Sequence, residues 1–280
     1  MSKTFRRAAM SSICMLIVAV MSLTGATYAW FTSGEQATVS GMNVEVNTAA
    51  GGVQVREKTG DNQYTPWGTT LDLSVTAKKL EPVSSADGNA FFNIAYNPTD
   101  MNKVQVLSVD KASSANVIVK NIQLQNTGTQ ENVIVNLVDS AVSAVKNATT
   151  SLENEIYKAA RVAIITSDVS YVWATGDEGA TYYAFSAATP TSGENQYIPV
   201  NASVSGYTTT TTVATAAGCE ITLPKATTDA SEDGTYTPVD VQIVIWLEGQ
   251  DTDCKNGNAG GAFDVVLNFK KKVTTPAQGN

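Results

Sequence analysis

Val239-Asp-Val-Gln-Ile-Val-Ile-Trp-Leu-Glu248 is the stretch that decides the fold. In an extended chain Val239, Val241, Ile243, Ile245 and Leu247 point one way, and Asp240, Gln242, Val244, Trp246 and Glu248 the other. That period of two predicts a strand with one face on a core and the other mostly wet. Phe263, Val265, Leu267 and Phe269 repeat the pattern and read as its partner beyond a polar loop. Met42, Val44 and Val46, and then Val133, Val135 and Leu137, alternate in the same way. Weaker strands are expected near 53–56, 71–75, 91–96, 104–109, 117–124, 162–166, 171–174, 182–185 and 220–223. About a dozen strands separated by Gly, Asn, Pro and Ser clusters predict an all-β protein, a jelly roll or other β-sandwich, spanning 41–272.

One helix is expected to interrupt the strands. Leu152, Ile156, Ala159 and Ala163 recur at helical spacing, and Thr150-Ser-Leu-Glu153 has the form of a capping box. The helix is predicted over 151–160 as a lid on one sheet, ending where Val162-Ala-Ile-Ile-Thr166 favours a strand. The stretch 189–237 is low in apolar residues and contains five consecutive threonines at Thr208–Thr212, so it reads as a long exposed excursion.

Composition removes many functions. The 280 residues hold 18 Lys+Arg, 26 Asp+Glu and no histidine, for a formal charge of −8. Without histidine there is no Ser-His-Asp or Cys-His machinery and no HExxH zinc site. The acidic balance argues against nucleic acid and anionic membranes as partners.

The first residues read as an address. Lys3, Arg6 and Arg7 precede an apolar run from Ile13 to Leu23, and small residues lead to Ala29. This is the pattern of a secretory signal peptide over 1–29, with a run shorter than the roughly 18–20 residues of a spanning helix. Cleavage between Ala29 and Trp30 would remove Cys14 and leave 15 basic against 26 acidic residues. The product is expected outside the membrane, with 273–280 as a flexible tail.

Candidate sites are few. Cys219 and Cys254 make an even pair in an exported chain; a disulfide between them and two free thiols are both open readings. Asp251-Thr-Asp253-Cys-Lys255-Asn256-Gly-Asn258 has the look of a calcium loop. However, Lys255, Asn256 and Ala262 stand where an EF-hand needs an oxygen ligand, a glycine and a glutamate. Glu153 and Glu155 do not share a helix face, and Asp229, Glu232 and Asp233 lie in a turn-like segment without an apolar pocket. No phosphate loop or dinucleotide fingerprint is present. The expectation is a non-enzyme with no metal and no cofactor.

Three segments together carry a resemblance. They are Gly25-Ala-Thr-Tyr-Ala29-Trp30-Phe31 followed by the strand at 42–46, Val117–Gly128 and Asn132–Leu137, which read as a strand, a turn and a returning strand, and Val241–Gly249 followed by Gly261–Phe269. In this order the chain resembles the TasA/camelysin family of secreted Gram-positive fibre proteins. The resemblance covers the signal and about half the mature chain; 181–217 departs from it. It implies a jelly-roll subunit of an extracellular biofilm-matrix fibre, released by a SipW-type signal peptidase. It also implies homopolymerisation, with a minor or anchoring subunit as a further partner. Polymerisation would proceed by donation of residues 30–40, with Trp30, Phe31, Ala37 and Val39 supplying the apolar contacts. Some members carry a metalloprotease label, which a chain without histidine does not support.

Donation is physically reasonable. A sandwich lacking one strand leaves backbone groups unpaired, and a segment from the next subunit satisfies them in a head-to-tail, self-propagating contact. The alternative reading is a monomeric secreted adhesin or carbohydrate-binding β-sandwich, with Tyr171, Trp173, Tyr182 and Tyr183 as an aromatic platform. A carboxylate-only hydrolase is a third reading, without a preferred residue.

Overall fold

In the computed structural model the described residues lie between 37 and 272. Outside them are 1–36, 48–51, 74, 76–77, 98–99, 110, 112–115, 129–130, 146–154, 186–197, 200–207, 228–235, 250, 252, 255–257, 259 and 273–280. The signal peptide, the tail, Asp229, Glu232, Asp233, Glu153 and the capping box at 150–153 therefore fall outside. The first strands are β1 (Ala37–Asn47), β2 (Val53–Gly60), β3 (Gln63–Tyr64), β4 (Thr70–Asp72), β5 (Lys78–Leu80) and β6 (Phe91–Asn97). Next come β7 (Asp100–Val109), β8 (Ile118–Asn126), β9 (Val133–Asn136), β10 (Ala141–Val145), β11 (Ala160–Ile165) and β12 (Ser170–Trp173). The remainder are β13 (Thr181–Phe185), β14 (Ile198–Pro199), β15 (Thr208–Thr212), β16 (Ile221–Leu223), β17 (Val239–Leu247) and β18 (Ala262–Lys271).

Two sheets form a sandwich. The first runs β16-β9-β18-β1-β4, with β10 beside β9 on β18 and β5 beside β4 on β1. The second runs β12-β11-β17-β8-β2-β3. β13 and β15 make a separate ribbon, and β14, β7 and β6 a small three-stranded sheet. The expected all-β sandwich is the observed fold class.

Two pairings differ from the sequence reading. β17 and β18 are not partners: β17 lies between β8 and β11, whereas β18 pairs with β1, β9 and β10 in the opposite sheet. β8 and β9 likewise fall in different sheets. In each case the connecting loop crosses the sandwich, which turns the two apolar faces toward each other. Alternation alone reports that a face is buried, not which sheet buries it.

The core between the sheets follows from that alternation. Met42, Val44 and Val46 of β1 and Phe263, Val265, Leu267 and Phe269 of β18 meet Val55, Ile122, Leu124, Val162, Ile164, Val241, Ile243 and Ile245 of the second sheet. Each large side chain so buried contributes roughly 1.5–3 kcal/mol. β1 runs parallel to β18, from Thr38 opposite Ala262 to Asn47 opposite Lys270, with a bulge between Val39 and Gly41.

The expected helix at 151–160 is not formed in the described residues. Glu155–Ala159 make a single 3₁₀ turn, and Ala160 already belongs to β11. Ile156 and Ala159 are buried as the helical spacing requires, but Ala163 is a strand residue. The β-branched run Val162-Ala-Ile-Ile pairs with both β17 and β12, and that pairing outweighs helix propagation.

The excursion at 189–237 is also not uniformly exposed. Val213, Cys219, Ile221, Leu223 and Ala226 are buried, and β15 and β16 lie within it. Nor is the outer face of β17 mostly wet. Val244 and Trp246 sit in a second apolar cluster with Val83, Phe91, Ala163, Val172, Tyr182, Ala184 and Val213. The segment 83–92 and the β13–β15 ribbon cover that part of the sheet. Val83 N–H donates to Leu247 O at 3.0 Å, Tyr182 Oη to Ser85 O at 2.9 Å and Thr211 Oγ1 to Ala86 O at 3.2 Å.

Candidate functional site

The residues expected at the signal cut and in the donated segment divide between the described and undescribed parts of the chain. Ala29, Trp30 and Phe31 lie outside the described residues. Ala37 and Val39, expected in the donated segment, are instead part of β1, where they are 2% and 0% exposed. They pair with Leu80 and Lys78 of β5 on one side, and Val39 faces Phe263 of β18 on the other. Residues 37–40 thus lie in the chain's own sheet rather than in a donated segment. The alternation of Ala37 and Val39 continues directly into Met42 and Val44 once the bulge is allowed for, which is why they stay with β1.

Of the two open readings of Cys219 and Cys254, the structure has the two free thiols, both buried. Cys219 ends the short 3₁₀ turn Ala216–Gly218 before β16, and Cys254 lies in the turn after β17, its N–H on Asp251 O at 3.1 Å. Burial, with a lesser push from Glu178, takes the Cys219 thiol up to about 12. Burial and the charges of Glu248 and Asp251 raise Cys254 as well, against the opposing pull of Arg161. Neither is a reactive thiolate.

The Asp251–Asn258 loop is held by hydrogen bonds of its own. Asp251 Oδ1 accepts from Asp253 N–H at 2.8 Å, and Asn258 Nδ2 donates to Asp253 O at 2.8 Å. Asp251 also pairs with Arg161. Among the described residues no three His, Cys, Asp or Glu side chains gather as a metal site.

The proposed aromatic platform does not form. Trp173 is 1% exposed, and Tyr182 is buried beneath its hydrogen bond to Ser85. Tyr171 donates to Glu220 O at 3.2 Å, and the Tyr183 side chain lies outside the description. These rings are core and staple, as aromatics at strand spacing commonly are.

Two constellations escaped the sequence reading. The first surrounds Arg161, a cation 2% exposed on the outer face of β11. Its Nη1 donates to Lys158 O at 2.8 Å and Ala160 O at 3.2 Å, and its Nη2 pairs with Asp251 and, at 3.3 Å, with Asp177. The guanidinium carbon stands 5.0 Å from the Tyr182 ring centre. Beside this group, Glu248, fully buried, accepts from Trp246 Nε1 at 3.1 Å and Ser85 N–H at 3.2 Å. The lone arginine inside Ala159-Ala-Arg-Val-Ala-Ile164 was the available signal, since a charge in an apolar strand needs buried partners. The arrangement ties β11 to the loops at 177 and 251; it exposes no nucleophile.

The second constellation lies on the open, polar part of the second sheet's outer face. Arg56 of β2 donates from Nε and Nη2 to Gln123 Oε1 at 2.8 and 2.6 Å. Gln123 Nε2 in turn donates to Asp240 Oδ1 at 2.7 Å. The Arg56 guanidinium carbon lies 4.0 Å from the Tyr64 ring centre and 4.2 Å from that of Trp67. Parallel rows join Gln242 to Asn121 at 3.1 Å and Gln125 to Gln54 at 2.8 Å. Its sequence signal was the spacing Tyr64-x-x-Trp67 just after a strand carrying Gln54 and Arg56. The chain matches no protein-family model, and no curated protein is significantly similar to it.

Proposed function

We propose that the protein is a structural subunit of an extracellular fibre, joined head-to-tail through the segment Trp30–Gln36 of one copy and the sandwich of the next. The observation that supports this reading is the place of β1. The first described strand lies inside its sheet with one face in the core, flanked by β18 and by the three-residue strands β4 and β5. Trp30-Phe31-Thr-Ser-Gly-Glu-Gln36 continues it directly in the chain.

A segment leading out of a strand paired on both sides is held at one end and can reach a neighbour with the other. Burial of Trp30 and Phe31 in that neighbour would contribute roughly 1.5–3 kcal/mol each, and each main-chain bond about 0.5–1.5 kcal/mol. Export past the membrane of a Gram-positive cell, trimming at Ala29 by a SipW-type peptidase and an anchoring minor subunit belong to the same proposal.

The test is negative-stain microscopy of purified protein beginning at Trp30, compared with a chain beginning at Ala37, which keeps β1 whole. Filaments are expected from the first and monomers from the second. Equal polymerisation by both would exclude donation by this segment.

A further inference from the structure

The outer face of the second sheet has a covered apolar part and an open polar part, and the polar part is more ordered than solvent exposure requires. Asn121 and Asp240 are exposed, and Gln54, Arg56, Gln242, Tyr64 and Trp67 are half-buried. Beneath them Gln123 and Gln125 are 8% and 3% exposed. Long polar side chains left to water keep their rotamer freedom, and fixing each costs up to about 2 kcal/mol. Here cross-strand hydrogen bonds hold each amide in a set orientation, and Arg56 is further packed by two rings.

The chemistry of this surface selects a class of ligand. Its described side chains are amides, a carboxylate and a guanidinium joined by hydrogen bonds, a lining that does not suit a hydrophobic molecule. Asp240 and the net charge of −8 oppose a polyanion. The fixed amides and the Asp240 carboxylate supply donors and acceptors at the spacing of adjacent strands, with Tyr64 and Trp67 at one side to pack against a ring. Hydroxyl groups on a saturated ring need that combination. We propose that this face binds an uncharged polysaccharide, hydrogen-bonded by Asn121, Asp240 and Gln242 and packed against Trp67 and Tyr64. The site is independent of polymerisation and is not the aromatic set expected from the sequence.

The test is native affinity electrophoresis of the whole protein in gels containing dextran, a mixed-linkage β-glucan, galactomannan or polygalacturonate. At least one of the three neutral polymers is expected to retard the protein. Trp67→Ala, Asp240→Ala and Asn121→Ala should each weaken that retardation at least tenfold. Asn121 is exposed and bonded to the half-buried Gln242, so its variant should keep the parent thermal midpoint and separate lost binding from lost folding. Asp240 also accepts from the buried Gln123, so retardation of its variant is compared at matched folded fraction. Retardation by none of the neutral polymers, or by polygalacturonate alone, would overturn the proposal. So would undiminished retardation of the Asp240 and Asn121 variants.

Discussion

The two halves of β17 look alike in sequence and have opposite fates. From Val239 to Gln242 the strand alternates as a half-wet strand should, with Asp240 and Gln242 on an open face. From Ile243 to Leu247 every residue is buried, because Val244 and Trp246 lie under the segment 83–92 and the β13–β15 ribbon. Phe91 meets Trp246 edge-on, with ring centres 5.4 Å apart and planes at 83°. A one-sided core comes from the strand's own period. A two-sided core needs chain from elsewhere, and it fixes which part of the face is left free for other work.

Substitutions can break that contrast, and the largest effects belong to the covered half. Trp246→Ala removes the centre of the second cluster and leaves Glu248 without one donor; a loss of about 3–5 kcal/mol is expected in urea unfolding. Arg161→Ala should cost a similar amount, about 3–5 kcal/mol, since Asp251 loses its buried partner. Arg161→Met together with Asp251→Leu should recover a good part of it, as a double-mutant cycle would show.

Gly88 marks how closely the cover approaches the sheet. Its φ is +70°, and a Cβ there would lie 2.3 Å from the Ala163 Cβ. Gly88→Ala is therefore expected to destabilise by about 1–3 kcal/mol through overpacking and backbone strain. A smaller loss in thermal melts would mean that the 83–92 segment lifts without disturbing the rest.

The buried thiols give a pH signature. An unfolded cysteine ionises near about 8.5, while Cys219 in the folded protein holds its proton to about 12. Above about pH 8.5 the unfolded chain binds fewer protons, so stability falls as pH rises, by up to about 1.4 kcal/mol per unit for each thiol. Cys254 acts in the same direction, and Tyr182 joins it at higher pH. Denaturation midpoints at pH 8 and pH 10 should converge in the Cys219→Ala, Cys254→Ala double variant. The smallest effect is expected on the open half, where Gln242→Ala should change stability by no more than about 0.5 kcal/mol.

The contrast also explains what could be read in advance. Strands with a single buried face were legible, because Met42, Val44 and Val46 or Phe263, Val265 and Leu267 carry their own period. Their partners were not: a long polar loop after Leu247 is equally compatible with a hairpin and with a crossing to the other sheet. The helix expectation failed because Ile156 and Ala159 meet the demands of a 3₁₀ turn as well as those of a helix, and cross-strand pairing of Val162–Ile165 decided the matter. Residues whose roles depend on distant chain were the least legible. Arg161 meets Asp177 and Asp251, and Arg56 meets Gln123, Tyr64 and Trp67, at separations that no local spacing encodes. Ala37 and Val39 were expected in the donated segment, and the structure assigns them to β1.

The parallel pairing of β1 with β18 has a consequence in time. Roughly 220 residues separate Thr38 from Ala262, so the earliest-made strand has no companion on that side until almost the entire polypeptide has emerged. Folding with so distant a closing step is slow. While it waits, β1 is an unclaimed ribbon, and in a crowd of identical nascent chains the last strand it meets need not be its own.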